Sequence, residues 1–176
     1  MKNKHPDMEE CLEILREYKT PERVIRHCKA VTDAAVKIAA ALNDKGFNFD
    51  IPLILSAGLL HDIARVHDEH WEVGSDFLIT KGFVQEAEIV RKHMTHPLDH
   101  DPMKLKELDI VCIGDRVTLE EQYVGIDKRM DYVLSKAAGD KFVESIINKN
   151  REINKMLVKN IELIIGVSIE KLILNN

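Results

Sequence analysis

Three histidines stand on the apolar stripes of three separate stretches with helical spacing. His27 is flanked by Val24 and Val31, His61 follows Ala57 and Gly58 by four and three positions, and His93 follows Ile89 and Val90 in the same way. A single histidine in such a place is more often a hydrogen-bonded core residue than a ligand. Three of them on three inward faces imply convergence in space. Asp62, directly after His61 in LSAGLLHDIAR, sharpens the point. An unpaired buried carboxylate is costly, and a metal ion removes that cost by supplying the opposing charge. Asp115 is a second carboxylate of this kind. It ends the apolar run IVCI just after Gly114, a residue small enough to let the backbone approach a neighbour closely. Histidine and carboxylate together suit a borderline divalent ion such as Mn, Fe, Co, Ni or Zn.

The elements that must position these side chains all read as helices. Glycine and proline are scarce, and apolar residues recur at steps of three and four in nearly every segment. The first helix is expected over about Pro6 to Lys19. Thr20-Pro21 reads as an N-cap followed by proline at the first helical position. From there Val24, Val31, Ala34, Ile38 and Leu42 share a face until Gly46. A third helix is expected from Asp50-Pro52 through Arg65, a fourth over about Glu69 to Lys81, and a fifth from Val84 to His96, where Pro97 stops it. LDHDPM is a polar loop. The sixth helix is expected from about Met103 to Gln122, with Leu108, Val111, Cys112 and Asp115 on one stripe. Two or three further helices follow from Asp127. The expected fold is all-α, with residues 1–176 as one domain.

With 176 residues, 45% of them hydrophobic and 31% charged, the chain is long enough to bury a full core and too apolar to be disordered. Lys plus Arg is 25 and Asp plus Glu is 30, giving a formal charge of −5. That balance lacks the basic excess of a duplex nucleic-acid binder. The opening MKNKHPDMEEC has no apolar centre and does not read as a secretory signal. The most apolar tail stretch is broken by Glu162, Glu170 and Lys171, so no membrane span is expected. Cysteines at 11, 28 and 112 have no metal-type spacing and leave an odd thiol. A cytoplasmic protein is the expectation.

His27, the pair His61-Asp62, and Asp115 resemble the H…HD…D signature of the HD superfamily of metal-dependent phosphohydrolases. AGLLHDIAR is similar to that family's central segment, RVIRHCKAV to the helix with its first histidine, and IVCIGDR to the helix ending in its last aspartate. The resemblance covers about residues 20–130 and leaves about 127–176 as a C-terminal helical extension. It implies a helical bundle of the HD-domain type in which His27, His61, Asp62 and Asp115 bind a divalent ion. HWEVG at His70 and EIVRKH at His93 are similar to segments that supply a second ion in dinuclear branches, where the HD aspartate bridges two ions. Met94 stands where several such members carry a further histidine, and His96 is a weaker candidate. Asp109 is a rival to Asp115, which is preferred because it shares the apolar stripe.

The resemblance further implies one or two ions per chain (Mn, Fe, Co, Ni, Zn or Mg), and hydrolysis of a small phosphate ester, a nucleotide among the candidates. An ion so held lowers the pKa of a water towards about 7 and draws charge from a phosphoryl oxygen. Asp62 and Arg65 are the expected catalytic residues. Arg65, Arg23, Arg26 and Arg116 are the expected phosphate-binding residues, since spread negative charge must be met by fixed donors. Asp68 and Glu69 are lesser candidates for proton transfer. The alternative is a catalytically silent regulatory or ligand-sensing domain. The apolar C-terminal helices leave room for a homo-oligomer.

Overall fold

The computed structural model describes residues 5–137 and 139–175. Helix α1 (Met8–Glu17) opens with a reciprocal cap, in which the Asp7 carboxylate accepts from the Glu10 N–H and the Glu10 carboxylate accepts from the Asp7 N–H. Helix α2 (Glu22–Asn43) is the axis of the fold, with its inner face running from Val24 to Leu42 as its spacing predicts. Thr20 does not cap it. Pro21 takes the cap position, and the Thr20 hydroxyl donates to the Ile63 carbonyl at 2.8 Å. Helix α3 (Ile51–Leu60) is opened by Asp50, whose carboxylate accepts from the Leu53 N–H. Helices α4 (His70–Thr80) and α5 (Val84–Lys92) form a hairpin against it, and α6 (Glu107–Val117) returns to α2. The tail folds as α7 (Gly125–Lys136), α8 (Lys141–Ile165) and α9 (Ile169–Leu174).

Two glycines set how closely the central helices meet. A Cβ on Gly58 of α3 would lie 2.8 Å from the Thr32 hydroxyl of α2, and one on Gly114 of α6 would lie 2.7 Å from the Val31 carbonyl. A Cβ at either distance would force its neighbour to shift, so glycine at both positions lets α3 and α6 close onto α2. Of these helices α2 carries His27, α6 carries Asp115 and α3 is capped at its end by His61.

One apolar cluster joins α2, α3 and α6 to the tail through Ile38, Leu42, Ile54, Ile110, Leu157 and Ile161. A smaller one packs α1 and the α4–α5 hairpin onto the end of α3 through Leu15, Leu59, Leu60, Ile63 and Leu78. Fully burying a side chain such as Leu157 contributes about 1.5–3 kcal/mol. The C-terminal extension therefore shares the core of the remainder. Its α8 still leaves Phe142 and Leu163 about three-quarters exposed. No helix among the described residues is long and apolar enough to cross a membrane.

The all-α expectation holds, with corrections at the element ends. The third helix stops at Leu60, not Arg65, and His61 to Val66 form tight turns with Ile63→Leu60, Arg65→Asp62 and His67→Ala64 backbone bonds. Asp62 thus lies in a turn beyond α3 instead of deep within it. The fifth helix ends at Lys92 with His93 as its cap. The sixth ends at Val117 and is followed by a small antiparallel hairpin, β1 (Thr118–Leu119) and β2 (Gln122–Tyr123), paired Thr118 with Tyr123 and Leu119 with Gln122. The polar loop contains a short 3-10 turn at Pro102–Lys104.

Candidate metal centre

Six ligand-type side chains converge at the ends of these elements. His27 comes from α2, His61 and Asp62 from the turn after α3, His70 from the start of α4, His93 from the end of α5, and Asp115 from α6. One ligand atom each of His27, His61 and Asp115 lies within 4.8 Å of the others, and the same holds for Asp62, His70 and His93. The imidazole rings form a continuous wall, with centroids 5.5 Å apart for His27–His61, 5.2 Å for His61–His93 and 5.6 Å for His70–His93.

Asp62 stands between the two groups. Its Oδ1 is 3.1 Å from His70 Nε2 and 3.5 Å from His93 Nε2, while Oδ2 lies 3.8 Å from His61 Nε2. The Nε2 atoms of His61, His70 and His93 are buried and make no well-aligned hydrogen bond. Buried polar atoms are rarely left so, and divalent ions beside Asp62 would satisfy them. The residues present therefore fit such an ion.

The far side of each ring explains its orientation. The Nδ1–H of His61 donates to the Gly58 carbonyl at 2.7 Å, that of His93 to Val90 at 2.6 Å, and that of His27 to Glu120 at 2.7 Å. A carbonyl can only accept, so a proton is fixed on each Nδ1, which leaves Nε2 of His61 and His93 as the ligand atom, while His27 Nε2 lies 3.2 Å from Asp115 Oδ1. The Glu120 carbonyl is delivered by a hairpin turn in which Glu120 itself has φ 54, a left-handed conformation unfavourable for a non-glycine residue. Glu69, the residue before His70, has φ 51. Both strained residues thus abut the histidine cluster.

Electrostatics divide the ligands further. Burial lowers the His61 pKa to about 4, so its imidazole is neutral across the physiological range. Burial also works against the charged form of His27, but the adjacent Asp115 and the Glu120 carbonyl outweigh it and raise the pKa. Both carboxylates resist protonation despite burial. Asp62 is held well below the usual range by His61, His70 and His93, and Asp115 by His27, Arg129 and His61.

A cavity of about 310 Å³ opens onto His27 and Asp62. Four arginines line it, namely Arg23, Arg26, Arg65 and Arg129, with Val24, Leu119 and Tyr132 giving it an apolar side. Arg65 places Nε 3.3 Å from Asp62 Oδ2. Arg26 pairs with Glu121 at 2.8 Å. Arg129 was not marked by sequence reasoning. It donates to Asp115 Oδ1 at 3.2 Å and to the Asp115 carbonyl at 3.3 Å. Tyr132 and the hairpin residues were missed with it, because no spacing rule connects α7 to the histidines.

Three expected site residues belong elsewhere. His96 and Asp109 pair with each other at 2.7 Å, and the second Asp109 oxygen caps α6 by accepting from the Lys106 N–H. Arg116 donates to the His96 carbonyl at 2.7 Å and to Asn154 at 3.3 Å, so it ties α6 to α8 instead of lining the cavity. Asp68 and Glu69 are exposed and do not line it either.

Comparison with known proteins places this geometry in a family. The HD domain family matches residues 24–120. An uncharacterized protein of Methanocaldococcus jannaschii is 33% identical over 171 residues, covering 86% of this chain and 99% of that protein. The tRNA (cytidine(56)-2'-O)-methyltransferase of Thermoplasma volcanium is 38% identical over 93 residues, which is 51% of this chain but 26% of that enzyme. No solved structure gives a significant match.

Proposed function

The chain belongs to the HD domain family, and from that we propose that it is a metal-dependent phosphohydrolase acting on a small phosphate ester. The observation that carries this reading is the set of three buried Nε2 atoms without a well-aligned hydrogen bond around the Asp62 carboxylate, beside a cavity lined by four arginines. In this reading His27, His61, Asp62 and Asp115 would hold one divalent ion, and Asp62, His70 and His93 form a candidate second position. Transition metals such as Mn, Fe, Co, Ni or Zn suit so many imidazoles better than Mg does. When bound, the ion supplies Lewis acidity and makes water a nucleophile near neutral pH.

The protein's own groups do the remainder. Backbone carbonyls lock the imidazole tautomers, and the Asp62 carboxylate offers the acceptor that aims the attacking water. Arg65, Arg23, Arg26 and Arg129 supply fixed donors for phosphoryl oxygens, whose charge spreads in the transition state. The apolar side formed by Val24, Leu119 and Tyr132 suits an organic group such as a nucleobase. That the tRNA methyltransferase of T. volcanium is 38% identical to this chain over 93 residues is a reason to test ribonucleotides and RNA ends as well.

The test is phosphate release by chelator-stripped protein from aryl phosphates, nucleotides and short RNAs with terminal phosphates, across a panel of divalent ions. Turnover that needs an added ion supports the reading. Ion and nucleotide binding without turnover on any substrate moves it to the ligand-sensing alternative. Self-association through the C-terminal helices is a further proposal, supported by the exposed Phe142 and Leu163, and sedimentation velocity tests it.

A further inference from the structure

We propose that Arg65 is an internal competitor for the second ion position, so that the protein holds one ion tightly and admits the second only as Arg65 withdraws. The guanidinium touches His70, a prospective ligand of that position alone, and Asp62, the carboxylate that both positions share. Its Nε is 3.3 Å from Asp62 Oδ2 and its NH1 is 3.3 Å from His70 Nδ1. A cation already sits where a second cation would need the same carboxylate, and two positive charges in a partly buried site repel strongly.

His70 also differs from the other three histidines in its hydrogen bonding. His27, His61 and His93 each give the Nδ1–H to a carbonyl, and His61 and His93 keep Nε2 free as a ligand atom, while that of His27 lies 3.2 Å from Asp115 Oδ1. His70 Nδ1 faces an arginine, which has donors and no acceptor, so Nδ1 must accept there. A neutral His70 then carries its proton on Nε2, the atom 3.1 Å from Asp62 Oδ1. Ligation through Nε2 requires that proton to move to Nδ1, with no net gain or loss of protons. Once protonated, Nδ1 no longer accepts from Arg65. His61 and His93 are therefore pre-set for an ion, whereas His70 is set only when Arg65 leaves.

Leaving is easy. The Arg65 side chain is 49% exposed and already lines the cavity with Arg23, Arg26 and Arg129. An oxyanion in that cavity would draw the guanidinium outward, which couples occupancy of the second position to anion binding.

This inference rests on the two clusters being ion sites, not on turnover. Chelator-stripped wild type, Arg65→Gln and Arg65→Lys are titrated calorimetrically with Mn²⁺, with circular dichroism as the fold control. Wild type is expected to bind a second ion at least tenfold more weakly than the first. Arg65→Gln should strengthen the second event at least tenfold and the first by a smaller factor, since only Asp62 is common to both positions. Arg65→Lys should fall between them, since it keeps the charge but cannot span both partners. An unchanged or weaker second event in Arg65→Gln overturns the inference, as does a single event in all three proteins. No ion binding in any protein overturns it together with the ion-site reading. A measurement without substitution stands beside these. Long-range ¹H–¹⁵N spectra of metal-free wild type should show His70 with its proton on Nε2, and His61 and His93 with theirs on Nδ1. An Nδ1-protonated His70 overturns the inference.

Discussion

Asp62 has an oxygen for each ligand group, which makes it the residue whose change should tell most. Asp62→Asn keeps the size of the side chain and removes a charge and an acceptor. Relief of burial favours the amide, but the pairing with Arg65 and the surrounding imidazoles is forfeited. We expect unchanged helical content, a loss of stability no larger than about 2 kcal/mol, and turnover lower by at least about 100-fold under saturating metal. Circular dichroism, urea unfolding and phosphate release measure the three. Turnover equal to wild type would exclude this site as the catalyst. His27 and His61 permit a second prediction. A ligand imidazole must be unprotonated. Burial keeps His61 neutral down to about pH 4, whereas the His27 pKa is raised, so a proton competes with the ion there as pH falls below neutral. Affinity for the first ion should fall about tenfold per pH unit, one proton displaced, between pH 6 and pH 5. A two-proton slope in calorimetric titrations would show that His61 is not held neutral.

At the scale of elements, the close approach of α6 to α2 is what brings Asp115 to His27. A methyl at position 114 meets the Val31 carbonyl, which is backbone and cannot turn aside. Gly114→Ala should cost about 1–3 kcal/mol and weaken first-ion binding, read from urea midpoints and calorimetry. Gly58→Ala should cost less, because the atom it meets is the Thr32 hydroxyl, which can rotate at the loss of one hydrogen bond to the Cys28 carbonyl. The helices themselves were legible from their apolar periods, and Gly114 was legible as a point of close contact. Where α3 ends was not. LLHDIAR keeps its apolar spacing past Leu60, but the Ile63 carbonyl is captured by Thr20, which lies 43 positions away in the chain. A tertiary bond there overrides a local pattern. The hairpin was hidden for a different reason. Its strands have two residues each, and its turn is Glu120-Glu121, with none of the glycine or asparagine that usually marks a positive φ. Arg129 became a site residue only because that hairpin folds α7 back over Asp115.

For the molecule as a whole, the three cysteines supply a measurable pH dependence that is independent of any ion. Cys11, Cys28 and Cys112 are free and buried, and they sample different parts of the fold. Cys11 packs in the smaller apolar cluster, Cys28 follows His27 on α2, and Cys112 lies on α6, where its thiol donates to the His93 carbonyl. Burial pushes the Cys11 and Cys112 thiols up to about 12 and Cys28 well above its ordinary value of 9.0. The folded chain therefore keeps these protons in a range where the unfolded chain releases them. The unfolded state then binds fewer protons, so stability must fall as pH rises through the unfolded value near 9. Each thiol contributes a loss on the order of 1 kcal/mol by pH 10, and the three losses add. Tyr123, pushed to about 12 by burial and by Glu170 and Glu162, adds to the loss above pH 10. Urea midpoints of the chelator-stripped protein between pH 8 and pH 10 measure the slope. A Cys11→Ala, Cys112→Ala double variant should start less stable at pH 8 because of its cavities. It should nevertheless lose only about a third as much stability as wild type on going to pH 10, because one buried thiol is left to hold its proton. Equal slopes in the two proteins would mean that the thiols already ionise within the fold.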